Sequence, residues 1–375
     1  MSTHEALAVR ITEILPHTDP ETVRLGLTKV FDYTIVIAKE SWKVGDLAIY
    51  IEPDVIVKTT RPEFSFLANP QKPERTTHRV SAKRLRGIWS EGCLIPAPEN
   101  AKEGQDFWKE LELERYEPPL KTYRSGPKSG PNQFVANDIA EPPQLPLPER
   151  FEIENYKKHS KIFGPEKLWS RKPSVNEEGI FDPGEFILDP NYSPPEICIT
   201  CKIHGSFSCF VFDGNQMHYG SKNQWKKPEE KNLWFEAVKQ NPWIEEWCRK
   251  NPCMFLMGEV FGHQGGFSYG LKSGSVGFRA FDVWDSEPKS FWDHERMMNS
   301  FNLFIEVQKD NGRTAPILYV GPYNDEIVKQ QTDGLSLIEG ASHIREGCIV
   351  KPRKETVSRY GRHILKSVSN DYYLR

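Results

Sequence analysis

Apolar and polar positions follow different patterns in the two halves of the chain. Near the start, ALAVRITEI, VRLGLTKV, YTIVIAKE and DLAIYIEPDVIV mix β-branched and apolar residues in partial alternation, the pattern of short half-buried strands. His17-Thr18-Asp19-Pro20, Asp32, Val44-Gly45-Asp46 and Pro53-Asp54 supply the turns between them. About five such strands in so short a stretch predict a small closed barrel. Beyond residue 150 the apolar runs are more continuous. ICITCKI, SCFVF, CMFLMGEVFG, VGFRAFDVW, GCIVKP and HILKSV read as buried strands, whereas EEKNLWFEAVKQ, WIEEWCRK, WDHERMMNSF and NDEIVKQQ read as helices between them. Strands and helices without a regular βαβ beat predict an α+β domain. Between the halves, residues 117–148 hold eight of the 29 prolines, which suits a linker or strap. The expected organisation is an OB-fold-like domain over 1–116, a Pro-rich linker over 117–149 and a mixed domain over 150–375.

Composition narrows this picture. A chain of 375 residues, 38% hydrophobic, can bury two cores. Its net charge of −3 neither suggests nor excludes a general nucleic-acid coat, because binding depends on where charge clusters. Residues 72–86 cluster in that way, with six Lys/Arg and one Glu, and Gly87 and Trp89 follow at once. Arg79, Lys83, Arg84 and Arg86 for phosphates, with the Trp89 ring for stacking, point to a strand-binding surface; a solvated hairpin tip is the plainer reading. No apolar run is long enough to span a bilayer, and the first residues lack a secretory layout, so a cytoplasmic protein without membrane partners is expected. The seven cysteines have no framework spacing and are read as reduced thiols. Cys198 and Cys201 form a lone C-x-x-C in a strand, where residues three apart face opposite ways, which argues against a shared metal.

Six short segments carry candidate chemistry. They are Lys202-Ile203-His204-Gly205, Ser221-Lys222-Asn223, Gly258-Glu259-Val260-Phe261-Gly262, Phe278-Arg279-Ala280-Phe281-Asp282, Glu346-Gly347-Cys348-Ile349-Val350-Lys351 and Leu365-Lys366-Ser367. Most lie in or at the end of apolar strand-like runs, which would hold Lys and Glu side chains on rigid elements. In this order and spacing they resemble motifs I, Ia, III, IIIa, IV and V of the covalent nucleotidyltransferases, the superfamily of DNA ligases, RNA ligases and capping enzymes. The K-x-H-G form of motif I is similar to RNA ligases rather than to the K-x-D-G of the others. A barrel placed before the catalytic part resembles the RNA ligase 5 family, typified by a Deinococcus enzyme, as do VGDLAIYIEPD and LRGIWSEGCLIP.

That resemblance implies an ATP-dependent RNA ligase working through lysyl-AMP. It implies Lys202 as the adenylylated nucleophile, His204 as the motif I histidine, and Gly205 in close approach to nucleotide together with Gly258 and Gly262. Lys222 would contact phosphate, Glu259 ribose or metal, Phe281 the adenine ring, Glu346 Mg²⁺ or Mn²⁺, and Lys351 and Lys366 the phosphates. The implied substrate is RNA or an RNA-containing duplex with a nick, with RNA on the 3′-hydroxyl strand, and the implied state is a monomer. The chemistry of the residues is compatible. A lysine attacks phosphorus only as the free amine, so Lys202 needs a depressed pKa, which neighbouring Lys351 and Lys366 are expected to supply. The carboxylates of Glu259 and Glu346 are hard oxygen ligands. Cys201 replaces a frequent Glu, Phe207 a frequent Asn or Arg, and Lys366-Ser367-Val368 a frequent K-x-K. A DNA ligase, a capping-type nucleotidyltransferase and a non-catalytic RNA-binding protein on a ligase scaffold are the alternatives.

Overall fold

A computed structural model describes residues 5–116, 139–149, 152–165, 167–176, 180–182, 184–229, 232–262, 267, 269–301, 312–358 and 361–374. The chain divides into two compact units, one of Ser2–Pro119 with Pro165–Ser193, the other of Leu120–Gly164 with Pro194–Arg375. Each is described separately.

The first unit is built of short antiparallel strands. Ala8–Arg10 and Cys93–Pro96 flank Leu47–Ile51 in one sheet, and Leu15–Pro16, Leu25–Val30 and Tyr33–Ala38 form a second. Val55–Lys58 pairs with Thr77–Arg79 and Glu114–Arg115 in a third. The alternation in YTIVIA becomes an alternation of burial: Tyr33, Ile35 and Ile37 turn inward against Val30 and Tyr50, while Thr34 and Val36 are only half-buried. A second cluster gathers Ile49, Ile51, Val55, Val57, Phe64, Ile95, Phe107 and Leu113. The segment Lys167–Leu188, expected to belong to the catalytic half, pairs on itself as a hairpin and falls in this unit instead. Part of the physical reason is local: Phe181 lies under the Arg10 guanidinium, 5.2 Å from the ring centre, and Gly45 leaves room for its Cβ. Most of the Pro-rich stretch lies outside the described residues.

The second unit carries two larger, mainly antiparallel sheets. In the five-stranded one, Glu196–Lys202 lies between Gly347–Pro352 and the edge strand Ile317–Pro322, Leu365–Val368 lies next to Gly347–Pro352, and Glu154–Asn155 pairs parallel with Leu365–Val368. In the seven-stranded one, Met254–Phe261 lies between Ser206–Phe212 and Gly277–Asp285. Helices Leu233–Gln240 and Trp243–Lys250 bury Leu233, Ala237, Val238, Ile244 and Trp247 in one core with Phe210, Leu256, Phe278 and Val283. Asn232 caps the first of them, its side chain accepting from the Trp234 and Phe235 amides. The helix Asp325–Thr332 covers the opposite face of the Lys202 sheet, against Ile199, Cys201, Cys348 and Val350. Cys198 and Cys201 therefore enter different cores, as strand alternation requires, and do not share a ligand. The observed architecture is α+β, mostly sheet with few helices. No helix among the described residues is long and apolar enough to cross a membrane.

Candidate active site

Pairing register puts three lysines on one face of the five-stranded sheet. Lys202 stands opposite Gly347, Cys198 opposite Lys351, and Ile349 opposite both Thr200 and Lys366. Residues two apart on a strand share a face, as do directly paired residues, so Lys202, Lys351 and Lys366 all point the same way.

Lys202 ends its strand. Its Nζ donates to Glu346 Oε1 at 2.5 Å. Glu346 immediately precedes Gly347, whose closeness to the neighbouring strand admits no side chain: an added Cβ would lie 2.0 Å from the Ser367 carbonyl oxygen. The loop after Lys202 holds His204. Its backbone N–H donates to the Tyr269 hydroxyl at 2.8 Å, and its Nδ1 lies 2.5 Å from the Tyr372 hydroxyl and 3.9 Å from Glu346 Oε2. Gly205 lets this loop close onto the Glu259 strand. A Cβ there would stand 2.2 Å from the Val260 carbonyl oxygen and 2.9 Å from Glu259 Cγ. Gly258 and Gly262 are likewise filled against by Phe278 and Leu271, so at all three glycines a side chain would collide with the protein itself.

The electrostatics differ from expectation. Burial alone would lower the Lys202 pKa, but Glu346 and Glu259 outweigh it and raise it. Lys202 is thus held as an ammonium by two carboxylates, not driven to the amine by neighbouring lysines. Burial pushes the Glu259 carboxyl up to about 8, with Lys202 opposing and Glu346 adding to the rise. Below pH 8 Glu259 therefore holds its proton, and the Glu346 carboxylate is the charge that faces the Lys202 ammonium.

Lys351 has a different setting from that expected of a phosphate-facing lysine. Its ammonium is buried, donating to Asp282 Oδ1 at 2.8 Å and to the Phe281 carbonyl at 2.7 Å. Arg362 closes the same cluster, with Nη1 2.6 Å from Asp282 Oδ2 and Nε 2.6 Å from Glu355 Oε1. The Arg362 side chain, only 5% exposed, is therefore a buried structural cation. Phe281 sits at the irregularity where pairing passes from Met257–Asp282 to Gly258–Ala280, and its ring is 6.1 Å from that of Phe207. Lys366 is half-buried on the Lys202 face. Lys222 lies on the exposed turn after Met217–Gly220, 3.5 Å from Glu152. Sequence reasoning gave no role to Asp282, the last residue of the Phe278–Asp282 segment, and missed Tyr372, beyond the last motif, which carries no local signal.

In the first unit the basic run divides. Arg79 is tied to Asp54, with Nε 2.9 Å from Oδ1, and its guanidinium lies 3.7 Å from the Tyr116 ring centre. Lys83–Leu85 and Ile88–Ser90 form a hairpin that pairs Arg84 with Trp89. Its two turn residues, Arg86 and Gly87, have φ of 48° and 88°, as a tight type I′ turn requires. Lys83, Arg84 and Arg86 are exposed and Trp89 is half-buried.

Comparison with known proteins agrees with this division. Residues 195–368 match the RNA ligase family model, and residues 7–97 match an OB-fold domain model. The chain carries an N-terminal OB-fold domain and a C-terminal RNA ligase nucleotidyltransferase domain. A Naegleria gruberi RNA ligase variant solved with ATP and Mn superimposes with a TM-score of 0.70 at 21% identity, over 98% of this chain and 98% of that one. The same organism's ligase with PPi gives 0.69 at 22% over 99% and 98%, and a variant with AMP and Mn gives 0.70 at 22% over 99% and 98%. At that identity the likeness establishes a shared fold. No curated protein matches the sequence. The RNA ligase domain contains Lys202, His204, Glu259, Phe281, Glu346, Lys351 and Lys366; Tyr372 lies beyond the matched residues.

Proposed function

We propose that this protein is an ATP-dependent RNA ligase that joins 3′-hydroxyl to 5′-phosphate ends through an AMP adduct on Lys202. The observation that carries this reading is the Lys202–Glu346 contact, set at a strand end beside Glu259 and His204 within an RNA ligase domain. The similar Naegleria gruberi ligases are solved with ATP, AMP, PPi and Mn, which supports ATP as substrate and pyrophosphate as product.

In the first step Lys202 Nζ, having lost its proton, bonds to the α-phosphorus of ATP as the bond to pyrophosphate breaks. AMP then passes to a 5′-phosphate, and a 3′-hydroxyl displaces it, forming the phosphodiester and releasing AMP. The residues contribute position and charge rather than further covalent chemistry. The sheet fixes the Lys202 backbone. Glu346 orients its ammonium until substrate arrives. Phe281 offers a ring face for adenine, and Lys366 offers positive charge on the same sheet face as the nucleophile. Lys351 stabilises the Phe281 carbonyl. Glu346 and Glu259 are hard oxygen donors, and the Glu259 carboxyl, which burial keeps protonated up to about pH 8, would ionise beside a cation, so the pair fits a divalent ion such as Mg²⁺ or Mn²⁺. Such a cation would supply positive charge to the triphosphate and to this carboxylate pair. Because both carboxylates favour the ammonium, whatever neutralises them favours the amine.

Incubation with α-labelled ATP and Mn²⁺ followed by a denaturing gel tests the reading. Wild type should acquire label that is acid-labile and alkali-stable, while Lys202→Ala and Lys202→Arg should not, the guanidinium staying protonated. Label persisting on Lys202→Ala would refute the nucleophile. We further assign the substrate as a nick with RNA on the 3′-hydroxyl strand, as in the RNA ligase 5 family. A protein tells ribose from deoxyribose by the 2′-hydroxyl and the A-like shape it imposes. Single-turnover sealing of four nicked duplexes, differing only in the sugar of each strand, should be fast only with ribose on the 3′ side. Equal rates would leave a ligase without this specificity.

A further inference from the structure

The C-terminal turn reaches back to the nucleophile loop. After the strand Leu365–Val368, the Ser369 N–H donates to the Glu346 carbonyl at 2.9 Å, and the Ser369 hydroxyl donates to Asp333 Oδ1 at 2.6 Å. These bonds anchor the turn to the residue that pairs with Lys202. The next ordered contact is Tyr372, whose hydroxyl lies 2.5 Å from His204 Nδ1. Its ring stacks on Phe267 at 5.6 Å and 29°, and Phe267 in turn lies 4.5 Å from the His204 ring. Tyr269 holds the backbone N–H of the same histidine, so its main chain and its ring are gripped by separate tyrosines.

We propose that Tyr372 is a positioning residue for His204: its hydroxyl sets the ring rotation and tautomer of the histidine beside Lys202 and Glu346, making the C-terminal turn part of the adenylylation site. An imidazole has two distinct nitrogens, and the hydrogen bond at one decides which carries the proton at the other. Glu346 Oε2 lies 3.9 Å from the same Nδ1. Rotation of the ring to close that gap would draw His204 onto Glu346 and compete with Lys202 for the same carboxylate. The hydroxyl of Tyr372 thereby keeps Glu346 for Lys202. The stacking of the two aromatic rings is separable from this role, because phenylalanine retains it.

The test uses the full chain, with Tyr372→Phe as the variant, and rests on the ligase reading only in its kinetic arm. In that arm the single-turnover rate of AMP attachment to Lys202 is measured against ATP concentration. Tyr372→Phe should lower the maximal rate about tenfold, within the range of coupling between contacting residues, while half-saturation by ATP changes less than twofold. In the second arm, two-dimensional spectra of ¹⁵N-histidine-labelled protein without nucleotide report the tautomer, with the His204 signals identified by their loss in His204→Gln. Tyr372→Phe should move the His204 nitrogen shifts and leave the other histidines in place. Unmoved His204 shifts, or an unchanged maximal rate in a wild type that does form the adduct, would overturn the proposal. Absence of any adduct in wild type would instead refute the ligase reading, while the spectra still decide whether Tyr372 governs His204.

Discussion

Lys202 and Lys351 project from the same face of one sheet, and each meets a carboxylate, yet their surroundings are opposite. The Lys202 side chain is 24% exposed and faces two acids, Glu346 and Glu259. Lys351 is 7% exposed and shares Asp282 with Arg362, which also holds Glu355. In the second cluster two cations meet two anions, every charge is hydrogen-bonded, and both cations sit where no water is needed. Such a cluster is a fixed part of the fold. In the first, one ammonium meets the Glu346 carboxylate and a Glu259 carboxyl that burial keeps protonated up to about pH 8, in a partly open pocket. A carboxyl so strongly shifted, and able to ionise beside an added cation, is the condition of a binding site. The comparison separates the lysine proposed to react from one that braces.

Breaking each pair should therefore give different phenotypes. Glu346→Gln removes the carboxylate that is bonded to the Lys202 ammonium. It should slow AMP attachment about a hundredfold, as loss of a group that stabilises transition-state charge does, while leaving the unfolding midpoint nearly unchanged. Asp282→Asn leaves Lys351 and Arg362 buried with one acid between them. Removing one partner of a buried pair costs about 3–5 kcal/mol, so this variant should unfold at much lower denaturant. Chemical denaturation with both variants in parallel decides the matter. If Asp282→Asn is as stable as wild type, the bracing role of Lys351 is lost.

The pH dependence sharpens the same contrast. The Glu259 carboxyl is raised from its ordinary 4.5 to about 8, so between those values the folded chain binds a proton that the unfolded chain has released. Stability contributed by this group is present below pH 4.5 and falls as pH rises toward 8. Asp282 is shifted the other way: burial opposes its charge, but Arg362 and Lys351 outweigh it and hold it far below the ordinary range. Its contribution is complete above the ordinary carboxylate range and is lost only in strong acid. Glu259→Gln should flatten the decline in unfolding free energy between pH 5 and pH 8, measured by denaturant titration at several pH values. Parallel profiles for wild type and variant would show that Glu259 is not the raised group.

What could be read along the chain, and what could not, follows the same physics. Strands buried on both faces announce themselves as apolar runs, and Trp243–Lys250 announces itself by helical period; both lie where the sequence pattern predicts them. Ile317–Pro322 was not anticipated, since its run ends in Gly321-Pro322, a turn signal that here closes an edge strand. Lys202, His204, Glu259 and Glu346 were legible because their spacing is a pattern in one dimension. The direction of the Lys202 pKa was not, because it depends on which of several charged groups fold closest, and the carboxylates won over the lysines. The roles of Asp282 and Tyr372 were invisible for a related reason. Their partners are 69 and 168 residues away, and a lone Asp or Tyr has no local signature.

The basic run of the OB-fold domain holds a smaller version of the same contrast. Arg79 is committed to Asp54 and Tyr116, whereas Lys83, Arg84 and Arg86 ride on an exposed hairpin with Trp89 at its base. The first is a brace and the other three are available to phosphates. Replacing Lys83, Arg84 and Arg86 together by glutamine should weaken RNA binding about tenfold at moderate salt. It should also reduce the slope of log affinity against log salt by about 2, the counterion release expected for three lost phosphate contacts on a single strand. Arg79→Gln should leave that slope unchanged and lower stability instead, because it releases Asp54 and uncovers Tyr116. AMP attachment to Lys202 in the absence of RNA should be unaffected by the triple substitution, which confines the loss to nucleic-acid contact. Fluorescence anisotropy with labelled RNA across a salt series reads all of this. A triple variant with the wild-type slope would return the hairpin to an ordinary solvated turn.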